Sequence, residues 1–199
     1  MLVVVGGHQR KAGKSSFVAA LIRAMPEAGW IAAKITPHAE SISDPPWILE
    51  EQQGPDPETD SGRFLAAGAR RAFWLRTGEG GLEEGIAALR RILEGCENAV
   101  VESNSLLRFV EPDLYVVVLD PAAARKANAV AWADRVSAYV LVGGSQERCF
   151  EGKPAFPVSA PSYFSDELRD FLREKLAAGG RQCAAGRLTV RETSSAKPA

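Results

Sequence analysis

Short apolar runs alternate along this chain with segments whose apolar residues recur at helical spacing. The first run, residues 2–5, is rich in β-branched residues and is followed by paired glycines, which is typical of a buried parallel strand. In the helix predicted after it, Val18, Leu21, Ile22 and Met25 fall at i, i+3, i+4 and i+7 and form one apolar stripe. The start of the chain therefore predicts a strand, a loop and a helix.

The same alternation continues to about residue 176. Further strands are predicted at residues 30–35, 71–75, 98–102, 113–120, 137–144 and 155–159, and further helices at 60–69, 82–93, 127–135 and 165–176. Asp60 or Ser61 is the expected cap of the second helix. Strands alternating with helices predict an α/β, three-layer domain with a mostly parallel sheet of about seven strands. A ligand is expected outside the carboxyl ends of those strands.

Two segments lack periodicity. Residues 36–59 carry several prolines and acids, which predicts a long loop that is either functional or disordered. From residue 179 the chain is rich in Gly, Ala and Ser, and we expect a frayed tail at 179–199. The sequence thus predicts one domain, residues 1–178.

Composition narrows the classes of function. A net charge of −1 with scattered Lys and Arg favours neither nucleic acid nor a membrane surface as partner. Cys96, Cys149 and Cys183 lie far apart without metal-ligand spacing, which favours reduced thiols over zinc or disulfides. No apolar run is long enough for a signal peptide or a spanning helix, so we expect a cytoplasmic protein.

The stretch VVVGGHQRKAGKSS, residues 3–16, carries the clearest chemical signal. In a phosphate-binding loop the backbone N–H groups surround the β-phosphate, the lysine reaches the β- and γ-oxygens, and the hydroxyl binds Mg²⁺. Gly13, Lys14 and Ser15 fit the closing glycine, the phosphate lysine and the metal hydroxyl. The predicted nucleotide-binding residues are His8, Gln9, Arg10, Lys11, Ala12, Gly13, Lys14, Ser15 and Ser16. The fold class is accordingly an α/β P-loop NTPase domain.

His8 occupies the position at which such loops ordinarily have their first glycine. That glycine supplies backbone freedom, and we expect Gly7 to take over the turn instead. Arg10 and Lys11 either add charge near the phosphates or form a solvated basic loop.

Acids at strand and helix ends complete the candidate site. Glu102 ends an apolar strand, where an acid can hold Mg²⁺ or orient a water, and Asn104 follows on the same side. Asp60 and Arg63 lie three residues apart on one helical turn, so they can share a ligand. Glu102 and Asp60 are the predicted catalytic residues, and Ser15 and Glu102 the predicted metal ligands. Capping or surface roles for Glu102 and Asp60 stay open.

Other motifs leave the base undecided. Asn-Lys-x-Asp, the usual guanine reader, does not occur, so the cofactors predicted are Mg²⁺ with GTP or ATP. Lys34 and His38 lie at the end of the second strand, on the ligand-facing edge of the sheet. A lone histidine there is more often polar surface than a ligand.

The order of these motifs resembles the molybdopterin-guanine dinucleotide biosynthesis protein B (MobB) family. The resemblance covers residues 2–176 and is most specific in DSGRFLAAGA, residues 60–69. It implies a P-loop GTP-binding adaptor in which Lys14 and Ser15 bind phosphate and Mg²⁺, and Lys34 and Glu102 match a lysine and an acid of the family. The family's second histidine after strand two is absent here, and its Glu-Gly-Phe-Lys becomes Glu102-Ser-Asn-Ser.

The function predicted is therefore nucleoside-triphosphate binding, with GTP favoured, and weak hydrolysis. A cofactor-biosynthesis protein is the partner that the resemblance implies, and a homodimer stays open. One alternative is an ATP-dependent small-molecule ligase or kinase of the dethiobiotin synthetase type, with the 36–59 loop shaping a second pocket. Another is a nucleotide switch module without hydrolysis.

Overall fold

The computed structural model describes residues 1–7, 9, 12–39, 42, 44–122, 132–143 and 145–178. Most of the helix predicted at 127–135 and the whole predicted tail, 179–199, lie outside these residues. His8, Arg10 and Lys11 lie outside them as well.

Strands and helices alternate through the described chain. The strands are β1 (Leu2–Gly6), β2 (Ile31–Thr36), β3 (Trp47–Glu51), β4 (Arg71–Thr77), β5 (Ala99–Glu102), β6 (Leu114–Leu119), β7 (Ala138–Val142), β8 (Cys149–Phe150) and β9 (Lys153–Val158). The α-helices are α1 (Lys14–Ala24), α2 (Asp60–Ala66), α3 (Leu82–Leu93) and α4 (Asp166–Ala178).

All of these strands join one sheet in the order β3-β4-β2-β5-β1-β6-β7-β9-β8. The seven strands from β4 to β9 in that order run parallel, and β3 and β8 pair antiparallel at the two edges. β1 lies at the centre between β5 and β6. The predicted α/β class with a mostly parallel sheet is confirmed.

Apolar side chains cover both faces of the sheet and produce the three layers. One face packs against α1, α2 and α4, whose buried residues include Phe17, Phe64 and Leu168. The other face packs against α3 through Ile86, Leu89 and Leu93. Parallel strands buried on both faces read as continuous apolar runs, which explains why β1 and β6 were visible in the sequence.

The prediction that residues 36–59 lack regular structure was wrong. β3 (Trp47–Glu51) lies within them and pairs with β4 from Trp47 opposite Thr77 to Glu51 opposite Phe73. Its side chains are half-buried or exposed, because it is an edge strand. An edge strand of this kind gives no buried apolar run for the sequence to reveal.

The predicted cap of α2 is also corrected. Thr59 is the N-cap, and its hydroxyl accepts a hydrogen bond of 3.1 Å from the Gly62 N–H. Asp60 and Ser61 begin the helix itself. The Asp60 carboxylate is thereby left for other contacts.

No helix of the described residues is both long and apolar enough to cross a membrane.

Candidate functional site

The turn between β1 and α1 ends at Gly13 in a left-handed conformation, with φ 86°. A Cβ at this position would lie 2.9 Å from the Tyr163 ring, so both conformation and space require glycine. The Gly13 carbonyl accepts the first helical hydrogen bond, 2.8 Å from Phe17 N. Among the described residues, no acid occupies the first turn of α1 and no side chain caps it. The start of a helix is a general binding position for anions, because its N–H groups point out of the helix.

Lys14 begins α1 and reaches back across the loop. Its Nζ donates a hydrogen bond of 3.1 Å to the Gln9 carbonyl. The ammonium is therefore held over the loop, where the sequence predicts the phosphates.

Gly7 lies at the other end of the loop, where neighbouring atoms leave no room for a side chain. Its φ is not positive, so it adopts no left-handed conformation. That Gly7 takes over the turn stays a prediction, because His8 lies outside the described residues. A Cβ on Gly7 would lie 2.7 Å from the Val118 carbonyl oxygen and 2.9 Å from Lys14 Cδ. Only glycine lets the chain pass this close to β6 and to the lysine stem.

Glu102 lies at the end of β5 beside the start of α1. The Ser15 hydroxyl donates a 2.7 Å hydrogen bond to Glu102 Oε2, and Lys34 Nζ lies 3.5 Å from Glu102 Oε1. Strand register explains the second contact, since Lys34 on β2 and Glu102 on β5 are paired positions. Only 7% of the Glu102 side chain is exposed, so both partners compensate a carboxylate that is nearly buried.

Asp60 brings α2 into the same cluster. Its carboxylate forms an ion pair with Lys34, so the ammonium lies between two acids. Burial raises the pKa of Asp60, but the hydrogen bond and charge of Lys34, together with a hydrogen bond from Ser15 and the charge of Arg63, hold the pKa below its usual value. Asp60 is therefore a carboxylate at neutral pH.

Arg63 extends the cluster to the second serine of the loop. Its guanidinium lies 3.4 Å from Asp60 Oδ1 and donates a 3.2 Å hydrogen bond to Ser16 Oγ. The predicted pair Asp60 and Arg63 is thus brought together, and it connects α2 to the first turn of α1.

Ser15, Asp60 and Glu102 supply hard oxygen donors at one point, which suits Mg²⁺. The described residues contain no group of three or more His, Cys, Asp and Glu side chains that could hold a metal ion. Mg²⁺ is commonly held by one or two carboxylates together with substrate phosphates, so these donors fit a metal shared with a nucleotide.

The segment that follows Glu102, residues 103–110, is held in place by hydrogen bonds and by buried apolar side chains. The Ser103 hydroxyl accepts a hydrogen bond from Leu106 N at 3.1 Å. The Arg135 guanidinium donates to the carbonyls of Leu107 and Val110 at 2.7 and 3.0 Å. The segment is also anchored in the hydrophobic core, since three of its side chains are buried: Leu106, Leu107 and Val110.

Tyr163 is a neighbour of the loop that the sequence did not reveal. It lies between β9 and α4 with φ 49°, and its ring packs against Gly13. The contact joins positions 150 residues apart, and no local pattern marks such a pairing. A positive φ is strained for tyrosine, and its place beside the loop between β1 and α1 makes Tyr163 a candidate member of the site.

Among the other predicted residues, Ala12 is buried and Ser15 and Ser16 are half-buried at the start of α1. His38 is exposed beyond the end of β2, with φ 56°. Trp74 on β4 is the cross-strand partner of Lys34, and its indole N–H donates a 2.9 Å hydrogen bond to Thr36 Oγ1.

Comparison with known proteins finds similarity in structure. The X-ray crystal structure of a MobB protein homolog from Bacillus stearothermophilus aligns with 89% of this chain and 98% of its own, at 15% identity and a TM-score of 0.44. The "apo" form of LpxK from Aquifex aeolicus, in complex with ATP, aligns with 78% of this chain and 53% of its own, at 17% identity and a TM-score of 0.47. No protein-family model and no curated protein matches the sequence.

Proposed function

We propose that this protein binds a nucleoside triphosphate with Mg²⁺ at the loop between β1 and α1, and acts on its terminal phosphate. One observation carries the proposal. Ser15, Lys34, Asp60 and Glu102, contributed by four different elements, meet directly beside the Gly13-Lys14 turn. A magnesium triphosphate needs carboxylates and hydroxyls for the metal and positive side chains for the phosphates, and both kinds of group lie beside this loop.

Each residue has a role in this proposal. The α1 N–H groups and Lys14 bind the phosphates, while Ser15, Glu102 and Asp60 hold the metal. The metal supplies charge stabilisation to the phosphate oxygens when bound. Glu102, the most buried of the acids, orients the attacking water or acceptor. Lys34 offsets part of the negative charge of the two acids in the free protein and gains a phosphate partner when the triphosphate enters.

GTP is the nucleotide that the sequence resemblance favours, with slow hydrolysis and a cofactor-biosynthesis protein as partner. Self-association as a homodimer is compatible with the same proposal. Both nucleotides must be tested, because the sequence contains no Asn-Lys-x-Asp reader.

The packed segment 103–110 favours a second candidate, an ATP-dependent kinase or ligase acting on a small molecule. A switch protein needs a segment beside the γ-phosphate that reorganises between states. Here that segment is held by Arg135 and buried leucines. A fixed acid beside the phosphates suits transfer to a second substrate better than it suits signalling.

The test is a calorimetric titration with GTP and ATP, with and without Mg²⁺, followed by phosphate release. We expect Mg²⁺-dependent binding of at least one triphosphate. Lys14→Ala should weaken it by about 2 kcal/mol or more, since a charge-assisted contact to phosphate is lost. Lys175→Ala, in the last turn of α4, is the matched control and should bind as the parent does. Equal affinity in the parent and Lys14→Ala would refute the proposed site.

A further inference from the structure

The side-chain amide of Asn104 makes two hydrogen bonds to the backbone of one residue at the entrance of the loop. Gly7 N donates to Asn104 Oδ1 at 2.9 Å, and Asn104 Nδ2 donates to the Gly7 carbonyl at 2.8 Å. The last ladder position that joins β1 to β5 pairs Val5 with Glu102. Asn104 therefore continues the pairing of these strands beyond the end of the sheet.

A second amide does the same on the other side of β1. Gln9 Nε2 donates to the Asp120 carbonyl at 3.1 Å, and Asp120 N donates to Gln9 Oε1 at 3.3 Å. The ladder between β1 and β6 ends with Gly6 opposite Val117. One amide thus ties the loop entrance to the end of β5, and the other ties it to the end of β6.

Neighbouring atoms also crowd the backbone at the loop entrance, Gly6 and Gly7, and so limit the positions it can take. A Cβ on Gly6 would lie 2.5 Å from both Asn104 Oδ1 and the Tyr115 hydroxyl. Burial raises the pKa of Tyr115 to about 12, so this hydroxyl stays protonated. Gly6 and Gly7 are therefore required so that the backbone can lie against the groups that hold it.

We propose that Asn104 and Gln9 are positioning residues that hold the entrance of the phosphate loop in its binding geometry. This inference rests on the proposed function of the loop. The first glycine of an ordinary loop allows the chain to turn through left-handed backbone, whereas here two side-chain amides fix the chain from either side. A loop held in this way before the ligand arrives loses less conformational entropy on binding.

Neutral variants test the proposal without adding charge near a phosphate. Asn104→Ala and Gln9→Met each remove one pair of hydrogen bonds. We expect each to weaken Mg²⁺–ATP and Mg²⁺–GTP binding by about three- to tenfold, the effect of losing a net hydrogen bond or so. The factor should be the same for both nucleotides, since the loop contacts phosphates rather than bases.

Asn98→Ala is the matched control. Asn98 also bridges backbone groups, donating to the Ala28 carbonyl at 2.9 Å and accepting from the Met1 amino group at 3.2 Å. It lies at the amino-terminal end of β5, however, whereas the loop lies at the carboxyl ends of the strands. It should cost thermal stability and leave nucleotide affinity unchanged. If it weakens binding as much as Asn104→Ala, the effect is global and the proposal is overturned.

Amide hydrogen exchange of the free protein supplies a readout that does not depend on nucleotide. Asn104→Ala should accelerate exchange at Gly7, and Gln9→Met should accelerate it at Asp120. Unchanged exchange at both positions would overturn the proposal even if nucleotide binds. Failure of the parent to bind either triphosphate would instead refute the function proposed above, while the exchange rates still decide whether the amides hold the loop.

Discussion

Glu102 accepts a hydrogen bond from Ser15 and faces the ammonium of Lys34, although almost none of its side chain reaches solvent. A carboxylate this enclosed is costly unless it is paired, and here the hydroxyl and the ammonium supply the pairing. Both partners are also groups that a magnesium triphosphate would contact. Glu102 is therefore the residue at which structural and chemical demands coincide.

Glu102→Gln separates these demands. Glutamine keeps the size of the side chain and an oxygen that can accept from Ser15, but it removes the charge. Because Ser15, Asp60 and the phosphates still hold the metal, we expect triphosphate binding to be largely retained. Phosphate release should fall about tenfold or more, since the charge of Glu102 acts on the reacting groups. Single-turnover phosphate release at saturating nucleotide measures this. Glu94→Gln, an exposed acid just beyond α3, is the control.

A loss of thermal stability in Glu102→Gln that matches its loss of phosphate release would show a structural role instead.

The residues of the site differ in how far the sequence could reveal them. Ser15 follows from the phosphate-loop motif, whereas Lys34 and Glu102 follow from one rule, because polar residues at the carboxyl ends of parallel strands meet at one end of the sheet. Gly13 follows from the Gly-Lys-Ser motif. Tyr163 could not be predicted, because its contact with Gly13 depends on how the chain after β9 returns over the sheet.

Among the elements, α3 and β3 show opposite behaviour. α3 buries Ile86, Leu89 and Leu93 at helical spacing, and the sequence predicted its bounds. β3 was missed because edge strands bury little and its pairing with β4 is decided by a neighbour distant in sequence. A helix that buries one face is encoded locally, whereas an edge strand is not.

Leu89→Ala tests the contribution of α3 to the core. Leu89 is 1% exposed, and its truncation leaves a cavity between the helix and the sheet. We expect the free energy of unfolding to fall by about 2–5 kcal/mol. Ile92→Ala, on the half-buried side of the same helix, should cost less. Urea denaturation measures both free energies of unfolding, and the dependence on urea concentration should stay as in the parent. Equal losses in the two variants would contradict the face of α3 that is assigned to the core.

At the scale of the whole molecule, strand order creates the site. β5 lies between β1 and β2, so the acid that ends β5 is placed beside the phosphate loop on one side and beside Lys34 on the other. The sequence predicted the alternation of strands and helices, and hence a parallel sheet. It could not order the strands, because the order depends on pairings between segments far apart in the chain.

A ligand held by four elements should stabilise the entire fold. Binding to the native state alone raises stability by about 2.7 kcal/mol when the ligand is present at a hundred times its dissociation constant. For a domain of this size we expect the melting temperature to rise by about 5–10 °C with Mg²⁺ and the preferred triphosphate. Differential scanning calorimetry measures the shift, and the corresponding nucleoside is the control.

A shift of the same size with the nucleoside alone would show that binding does not depend on the phosphate loop.

The position of Trp74 has an optical consequence. Its indole is held by Thr36, lies across the ladder from Lys34, and has the Arg76 guanidinium 4.6 Å from its ring centroid. Indole emission responds to nearby charges, and a triphosphate that binds beside Lys34 would change the charges around this indole. With phenylalanine at the other three tryptophan positions, the protein would carry a single tryptophan, beside its own site, that can be excited selectively over the tyrosines.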